Sequence, residues 1–317
     1  MKITKRVMEN PDVIIEMDSV IWNMISNKKK ELIYRNNDRY SMEQLSERYM
    51  QVKKYRKQLK KLQSVPKIEQ RTEEWYNARS GIITASNFCD AMNSNRSFIV
   101  KKATNDTSNR GSLACDWGTK YEPVACDIYR HLHSNINVYD FGLILDNKID
   151  CIGASPDGIT DLGVMVEIKC PYSRDITDKK ISNQYWCQIQ GQLAVCKLKE
   201  CDFSQFKFKQ FNDKDEFMEQ SKLYKYFGIV IVKNDGSYIY SSLGTCSDDM
   251  ISVLASVMNV EGEYQYWVLE THNIQRVCFD KDLWDTNMLP LLLNCWEKIK
   301  QESNRYLPSG FLKDDSD

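Results

Sequence analysis

The stretch from Gly153 to Pro171, GASPDGITDLGVMVEIKCP, decides how the chain is read. From Val164 onward, successive side chains alternate between the two faces of an extended strand. Val164, Val166 and Ile168 take one face, and Met165, Glu167 and Lys169 take the other. A carboxylate and an ammonium therefore stand side by side. Asp157 sits in the tight turn Ser155 to Gly158, just past the preceding strand, and meets Glu167 if the two strands are neighbours. Two carboxylates so placed suit a hard divalent cation with oxygen ligands, retained waters and a substrate phosphate. A lysine beside them can orient a water or help deprotonate it, which is the equipment for phosphodiester hydrolysis. Alone, an Asp followed ten residues later by Glu-x-Lys also fits an ordinary solvated strand face.

Outward from this stretch, Glu122 in WGTKYEP lies near the start of a helix expected from about Tyr121 to Leu132 and offers a third carboxylate. A helix from Ser182 to about Cys196 places Tyr185, Gln188 and Gln192 on one face, within reach of the same site. Upstream, RTEEWYNARSGIITASNF spans Arg71 to Phe88. A helix N-terminus opening at Thr84 to Ser86 would present free backbone N–H groups to an anion, with the Arg79 guanidinium and the Ser86 hydroxyl beside it.

The remaining texture is mixed. A helix from Ser41 to Gln63 carries Leu45, Tyr49, Val52, Tyr55, Leu59 and Leu62 at helical intervals, with a Ser41–Gln44 capping pair. Its other face is basic: Lys53, Lys54, Arg56, Lys57, Lys60 and Lys61. That face reads either as a solvated surface or as an arm for a duplex or a partner. Short helices are expected at 72–78 and after Thr84. Strands are expected at 138–145, 149–154, 164–170, 202–211, 227–232, 238–242, 264–269 and 274–278, and a closing helix at 280–305 before the acidic end DDSD. The layout is α/β (α+β): a central mixed sheet flanked by helices, with a helical N-terminal extension at 1–65 and one domain at 66–317.

Composition bounds the partners. The 317 residues carry 43 basic and 44 acidic side chains, so any affinity for nucleic acid must come from local arrangement and not from bulk charge. Eleven cysteines are scattered without a CxxC pair, and the three histidines have no zinc spacing. Neither a secretory signal nor a run of about 20 apolar residues is visible, so an intracellular protein without membrane contact is expected.

Five ordered motifs carry a resemblance. They are R-x-x-x-W-x-x-x-R-x-G-x-I-T-A-S at 71–86, GTKYEP at 118–123, GASPDG at 153–158, EIKCP at 167–171 and Tyr-x-x-Gln-x-Gln at 185–190. In this order they resemble the λ-exonuclease/YqaJ-type viral recombinase family of the PD-(D/E)xK nucleases, and chains of this kind are similar to those of large DNA viruses of eukaryotes. The resemblance implies a restriction-endonuclease-like core. It also implies a Mg²⁺-dependent deoxyribonuclease, with Mn²⁺ able to substitute, that digests linear double-stranded DNA 5′ to 3′ and leaves single strands for recombination, repair or replication. By the same carry-over, Asp157 and Glu167 bind the metal with the Ile168 backbone carbonyl, and Glu122 supports them. Lys169 activates water, Gln188 positions it or the scissile phosphate, and Arg79 and Ser86, with Thr84, Arg71 and Tyr185 nearby, hold the terminal 5′-phosphate or the DNA. A single-strand annealing or replication protein as partner, a homotrimer, and the host cytoplasm or nucleus as location follow from the resemblance alone. No iron–sulfur cluster is expected, because Cys246, Cys278 and Cys295 are dispersed. A structure-specific or nicking endonuclease using the same site, and a non-catalytic DNA-binding scaffold, remain open as alternatives.

Overall fold

A computed structural model of the chain describes residues 42–106, 111–133, 135–176 and 180–306; for residues 42–49, 51 and 52 it describes the backbone alone. The Ser41–Gln44 capping pair, most of the 1–65 extension and the acidic end lie outside the described residues.

The β5–β6 hairpin organises the rest. Strands β1 (Ile83–Thr84), β2 (Val138–Tyr139), β3 (Ile144–Leu145) and β4 (Ile152–Ala154) precede β5 (Gly158–Thr160) and β6 (Met165–Lys169). β5 and β6 pair antiparallel with Gly158 opposite Val166 and Ile159 opposite Met165. β6 then runs parallel to β7 (Glu200–Phe211), and antiparallel pairs continue through β10 (Glu263–Cys278), β8 (Phe227–Val232) and β9 (Tyr238–Tyr240). The result is a seven-stranded mixed sheet in the order β2-β5-β6-β7-β10-β8-β9, beside a three-stranded sheet β1-β4-β3.

Helices α1 (Met42–Gln63), α2 (Glu73–Ser80), α3 (Phe88–Met92), α4 (Arg96–Ala103), α5 (Leu113–Leu132), α6 (Asn183–Cys196), α7 (Lys214–Gln220), α8 (Met250–Ser256) and α9 (Leu289–Tyr306) surround the sheets. The alternation expected of β6 is realised, but both faces are buried. Val164, Val166 and Ile168 pack against Tyr121, Val124 and Ile128 of α5, while Met165 packs with Ile189 and Leu193 of α6. A parallel pair needs a covered crossover, and α6 supplies it between β6 and β7. Among the described residues no helix is long and apolar enough to cross a membrane.

Three elements differ from the sequence reading. The helix carrying Glu122 begins at Leu113, so Glu122 lies in its interior with Pro123 beside it. Ser112 caps the true start by accepting from the Cys115 N–H, and an amphipathic face of Tyr121, Val124, Ala125, Ile128 and Tyr129 carries the helix through the proline. The strand expected at 138–145 is split between the two sheets. A Cβ on Gly142 would sit 1.7 Å from the Ile68 carbonyl oxygen, so the backbone there runs against residue 68 instead of continuing the ladder. The two strands expected at 264–269 and 274–278 are one 16-residue strand with an irregularity between Leu269 and Thr271, held straight by pairing with β7 along its length.

Candidate active site

Asp157 and the Glu167–Lys169 pair meet at the open end of the β5–β6 hairpin. Asp157 Oδ2 accepts the Ile168 N–H at 2.7 Å, which fixes the carboxylate against the edge of β6. Because a residue's N–H and C=O leave an extended strand on the same side, the Ile168 carbonyl shares that edge with Asp157. Around the turn, Gln70 Nε2 donates to the Pro156 carbonyl at 3.2 Å, and Trp75 Nε1 donates to Ser155 Oγ at 3.0 Å.

Glu167 is fully buried, not a solvated strand residue. Lys169 Nζ and Gln188 Nε2 both donate to its Oε1, the latter at 2.7 Å, and Gln192 Nε2 donates to Oε2 at 2.7 Å. The expected face of α6 therefore reaches the site through both glutamines. Gln192 Oε1 is left buried without a partner. Tyr185 lies on the same face, its ring 5.4 Å from Lys169 Nζ and 5.5 Å from the Arg174 guanidinium.

Glu122 comes to this end of the sheet from α5, and its Oε2 accepts from Arg71 Nη2 at 2.6 Å. Arg71, expected to face DNA, is thus an ion-pair partner of Glu122. The cleft in front has a volume of about 530 Å³ and is lined by Glu122, Asp157, Ile168, Lys169, Arg174 and Tyr185, among others. Among the described residues Asp157 Oδ1 and Glu122 Oε1 receive no protein hydrogen bond. Burial, then the charges of Glu167 and Glu122, push the Asp157 carboxyl well above the usual range. Burial also raises Glu122, against the pull of Arg71. Burial alone would lower Lys169, but Glu167 and Asp157 overcome it and hold the ammonium above its ordinary value.

Arg79 and Ser86 form a second cluster, with Arg79 Nη2 donating to Ser86 Oγ at 3.1 Å and the guanidinium 4.1 Å from the Trp75 ring centroid. Trp75 therefore bridges the two clusters, its face under Arg79 and its N–H on the Ser155 turn. The helix N-terminus expected at Thr84 to Ser86 is a 3₁₀ turn, Ala85–Asn87, followed by the short α3. Thr84 is buried and donates to Asn87 Oδ1 at 3.0 Å; it does not accept from the backbone as a cap would. Arg96 grips Glu302 through two bonds of 2.6 and 2.8 Å and so is a structural tie to α9.

Lys102 joins Arg79, and no sequence motif had marked it. Its ammonium donates to the Arg79 and Ile82 carbonyls at 2.8 and 2.7 Å, clamping the turn that presents Arg79. Burial, with the charges of Arg79 and Lys101, pushes it down to about 8, and burial brings Arg79 to about 10. Both line a cavity of about 520 Å³ together with Tyr76, Asn87, Ser97 and Lys101. Asp90 and Asp106 line the same wall, so the corner formed by Arg79 and Ser86, where a guanidinium meets a hydroxyl, is the part chemically suited to an anion.

Residues 74–199, from the Trp75 helix to the start of β7, match the model of the YqaJ-like viral recombinase domain. An uncharacterized protein of Acanthamoeba polyphaga mimivirus is 27% identical, covering 50% of this chain and 33% of that protein, so the chain spans about a third of this curated relative. Among solved structures, an alkaline exonuclease from Laribacter hongkongensis is 22% identical with a TM-score of 0.47, covering 74% of this chain and 98% of that one. A phage-related exonuclease from Haemophilus somnus is 10% identical with a TM-score of 0.42, covering 71% and 96%. The hairpin, the crossover helix and both polar clusters fall within 74–199, the segment that is similar to the YqaJ-like viral recombinase domain.

Proposed function

We propose that the protein is a metal-dependent DNA exonuclease that hydrolyses phosphodiester bonds from the ends of linear duplexes in the 5′ to 3′ direction. The observation that carries this reading is the convergence of Asp157, Glu167, Lys169 and Gln188 at one hairpin end that opens on a cleft. The match of residues 74–199 to the YqaJ-like viral recombinase domain supports it.

The donor set fits a hard divalent cation. Among the described residues no three His, Cys, Asp or Glu side chains are already gathered as a metal cage. Yet Asp157 Oδ1 and Glu122 Oε1 are unclaimed oxygens on the cleft wall, and the Ile168 carbonyl lies on the same edge. Crowding that pushes Asp157 upward is what a bound cation would relieve. Mg²⁺ accepts such a sparse oxygen set because it keeps several waters. Asp157, the Ile168 carbonyl and Glu122 would hold it, with Glu167 joining by releasing one of its amide donors. When bound, the cation would neutralise charge at the scissile phosphate and acidify water beside it.

The chain's own groups do the rest. Glu167 anchors the Lys169 ammonium, which donates to the attacking water or to the charge that develops on the phosphate. Gln188 holds Glu167 in place and can turn its amide toward the scissile group. Arg79 and Ser86, on a turn clamped by Lys102, would receive the 5′-phosphate, giving the reaction its direction. We propose the same division of the chain as the sequence suggests, with 1–65 an extension and 66–317 the exonuclease domain. α1 lies at its border and buries Tyr55, Leu59 and Leu62 against the domain.

Linear duplex labelled separately at each 5′ and 3′ end, with and without Mg²⁺, tests the reading. Mg²⁺-dependent release of the 5′ label first is expected. Digestion of a closed circle at a comparable rate would instead make the enzyme an endonuclease, and no digestion of any DNA would leave a binding scaffold.

A further inference from the structure

Helix α1 meets the domain at the other end of the β5–β6 hairpin. Gly163, in the hairpin turn, has φ +70, and a Cβ there would lie 2.5 Å from Tyr55 Cβ, so the turn fits only with a glycine against the helix. Arg56 Nε donates to the Asp161 carbonyl at 3.1 Å, Gln58 Nε2 to the Cys196 carbonyl at 2.9 Å, and Leu59 and Leu62 enter the core. This rigid docking fixes what the helix shows to solvent. At about 100° per residue, Lys53, Lys54, Lys57, Lys60 and Lys61 fall within an arc of about 120°, opposite Tyr55, Leu59 and Leu62. All five are exposed, and among the described residues none enters an ion pair. Five cations thus stand within nine residues, about 12 Å of helix, on a chain whose net charge is −1.

We propose that this lysine face is a second nucleic-acid surface, which grips the phosphate backbone of DNA outside the cleft. It rests on the reading of the protein as a DNA enzyme. Four residues separate Asp157 from Asp161, about 13 Å along the strand, so the lysines cannot touch the scissile phosphate. An anionic membrane fits less well, since an interfacial helix buries an apolar face in lipid, and Tyr55, Leu59 and Leu62 of α1 are already covered by protein; among the described side chains of α1, Met50 is an exposed apolar one beside the lysines.

The test uses the full chain with Lys53→Gln, Lys57→Gln and Lys60→Gln combined, and the corresponding triple arginine variant. Binding of a duplex of about 30 base pairs is followed by fluorescence anisotropy in EDTA across a salt series. The glutamine variant is expected to lose about 2 to 3 from the slope of log K against log salt, and its Kd at ~0.1 M salt should rise at least about tenfold. The arginine variant should keep the slope. An unchanged slope and Kd in the glutamine variant overturn the proposal. So does lost sedimentation with phosphatidylserine vesicles while DNA affinity stays intact. Failure of the nuclease reading looks different, because wild-type protein would then cut no DNA while this binding difference could still be read.

Discussion

Two acid clusters lie side by side, one around β6 and one on β7, and the one around β6 opens on a cleft. Glu200 and Asp202 on β7 are met by Arg276 of β10, whose Nη1 donates to Glu200 and whose Nε donates to Asp202 Oδ1 at 2.5 Å. Tyr129 donates to Asp202 Oδ2 at 2.7 Å and Tyr55 to Glu200 Oε1 at 3.4 Å, so every carboxylate oxygen there has a donor. Asp157 and Glu122 each keep an oxygen that no protein group claims among the described residues, and burial, with the charges of Glu167 and Glu122, drives the Asp157 carboxyl upward. The same residue types serve as a fastener in one place and as an unfinished site in the other. Compensation of charge, not its presence, separates them.

Lys169→Ala offers the sharpest break. Cleavage of linear duplex should fall by roughly 10² to 10³, as when one preorganised donor is removed, with DNA affinity nearly kept and the thermal midpoint lowered because Glu167 stays buried without its cation. Full Mg²⁺-dependent turnover in this variant would remove Lys169 from the chemistry. Arg276→Met is the counterpart. It leaves two buried carboxylates without their cation and should cost on the order of 3 kcal/mol of unfolding free energy in urea, while the protein that remains folded keeps its turnover. If Arg276→Met impaired turnover more than stability, the β7 cluster would belong to the site.

Much of this contrast was legible from residues alone. The Asp157 turn, the alternation through Glu167 and Lys169, and the helical face of Tyr185, Gln188 and Gln192 follow from short-range periods that the fold respects. What escaped was decided by distant partners. Glu122 reads as a helix-start residue because Gly118 and Pro123 look like punctuation, whereas burial of Tyr121 and Val124 extends the helix past both. Polar residues 270–273 look like a loop, yet the long partner β7 keeps them in one strand. Arg71 reads as a DNA contact, and only tertiary structure shows its ion pair with Glu122. Lys102 has no motif at all, since its function is to bond backbone carbonyls some twenty positions upstream.

Arg79 extends the comparison to cations, because among the described residues no carboxylate is bonded to it as Glu200 and Asp202 are to Arg276. Arg79→Ala should erase a preference for 5′-phosphate over 5′-hydroxyl duplex ends of roughly ten- to a hundredfold, in line with a lost charge-assisted hydrogen bond. Equal rates on both ends already in the wild type would show that the pocket does not read the phosphate.

The smallest effect belongs to Lys102, and its sign is opposite to that of a salt-bridged lysine. Its folded value of about 8 lies below its ordinary 10.5, so between those values the unfolded chain binds more protons than the folded one. Stability should therefore rise with pH across that window and be lost again as pH falls through 8. The neutral amine still has two protons for the Arg79 and Ile82 carbonyls, so the clamp survives its own titration. Arg79 begins to lose its proton near 10, which confines a clean measurement to about pH 7.5 to 9.5. Buried thiols such as Cys170, Cys196 and Cys201, held above their ordinary value, pull the other way as the unfolded chain ionises its cysteines, so the readout is the difference: the urea midpoint of the wild type minus that of Lys102→Met should climb over that range with a slope of less than one proton. Equal slopes would mean that Asp90 or Asp106, on the same cavity wall, already balances the ammonium, and the Arg79 pocket would then be a compensated cluster like that of Arg276.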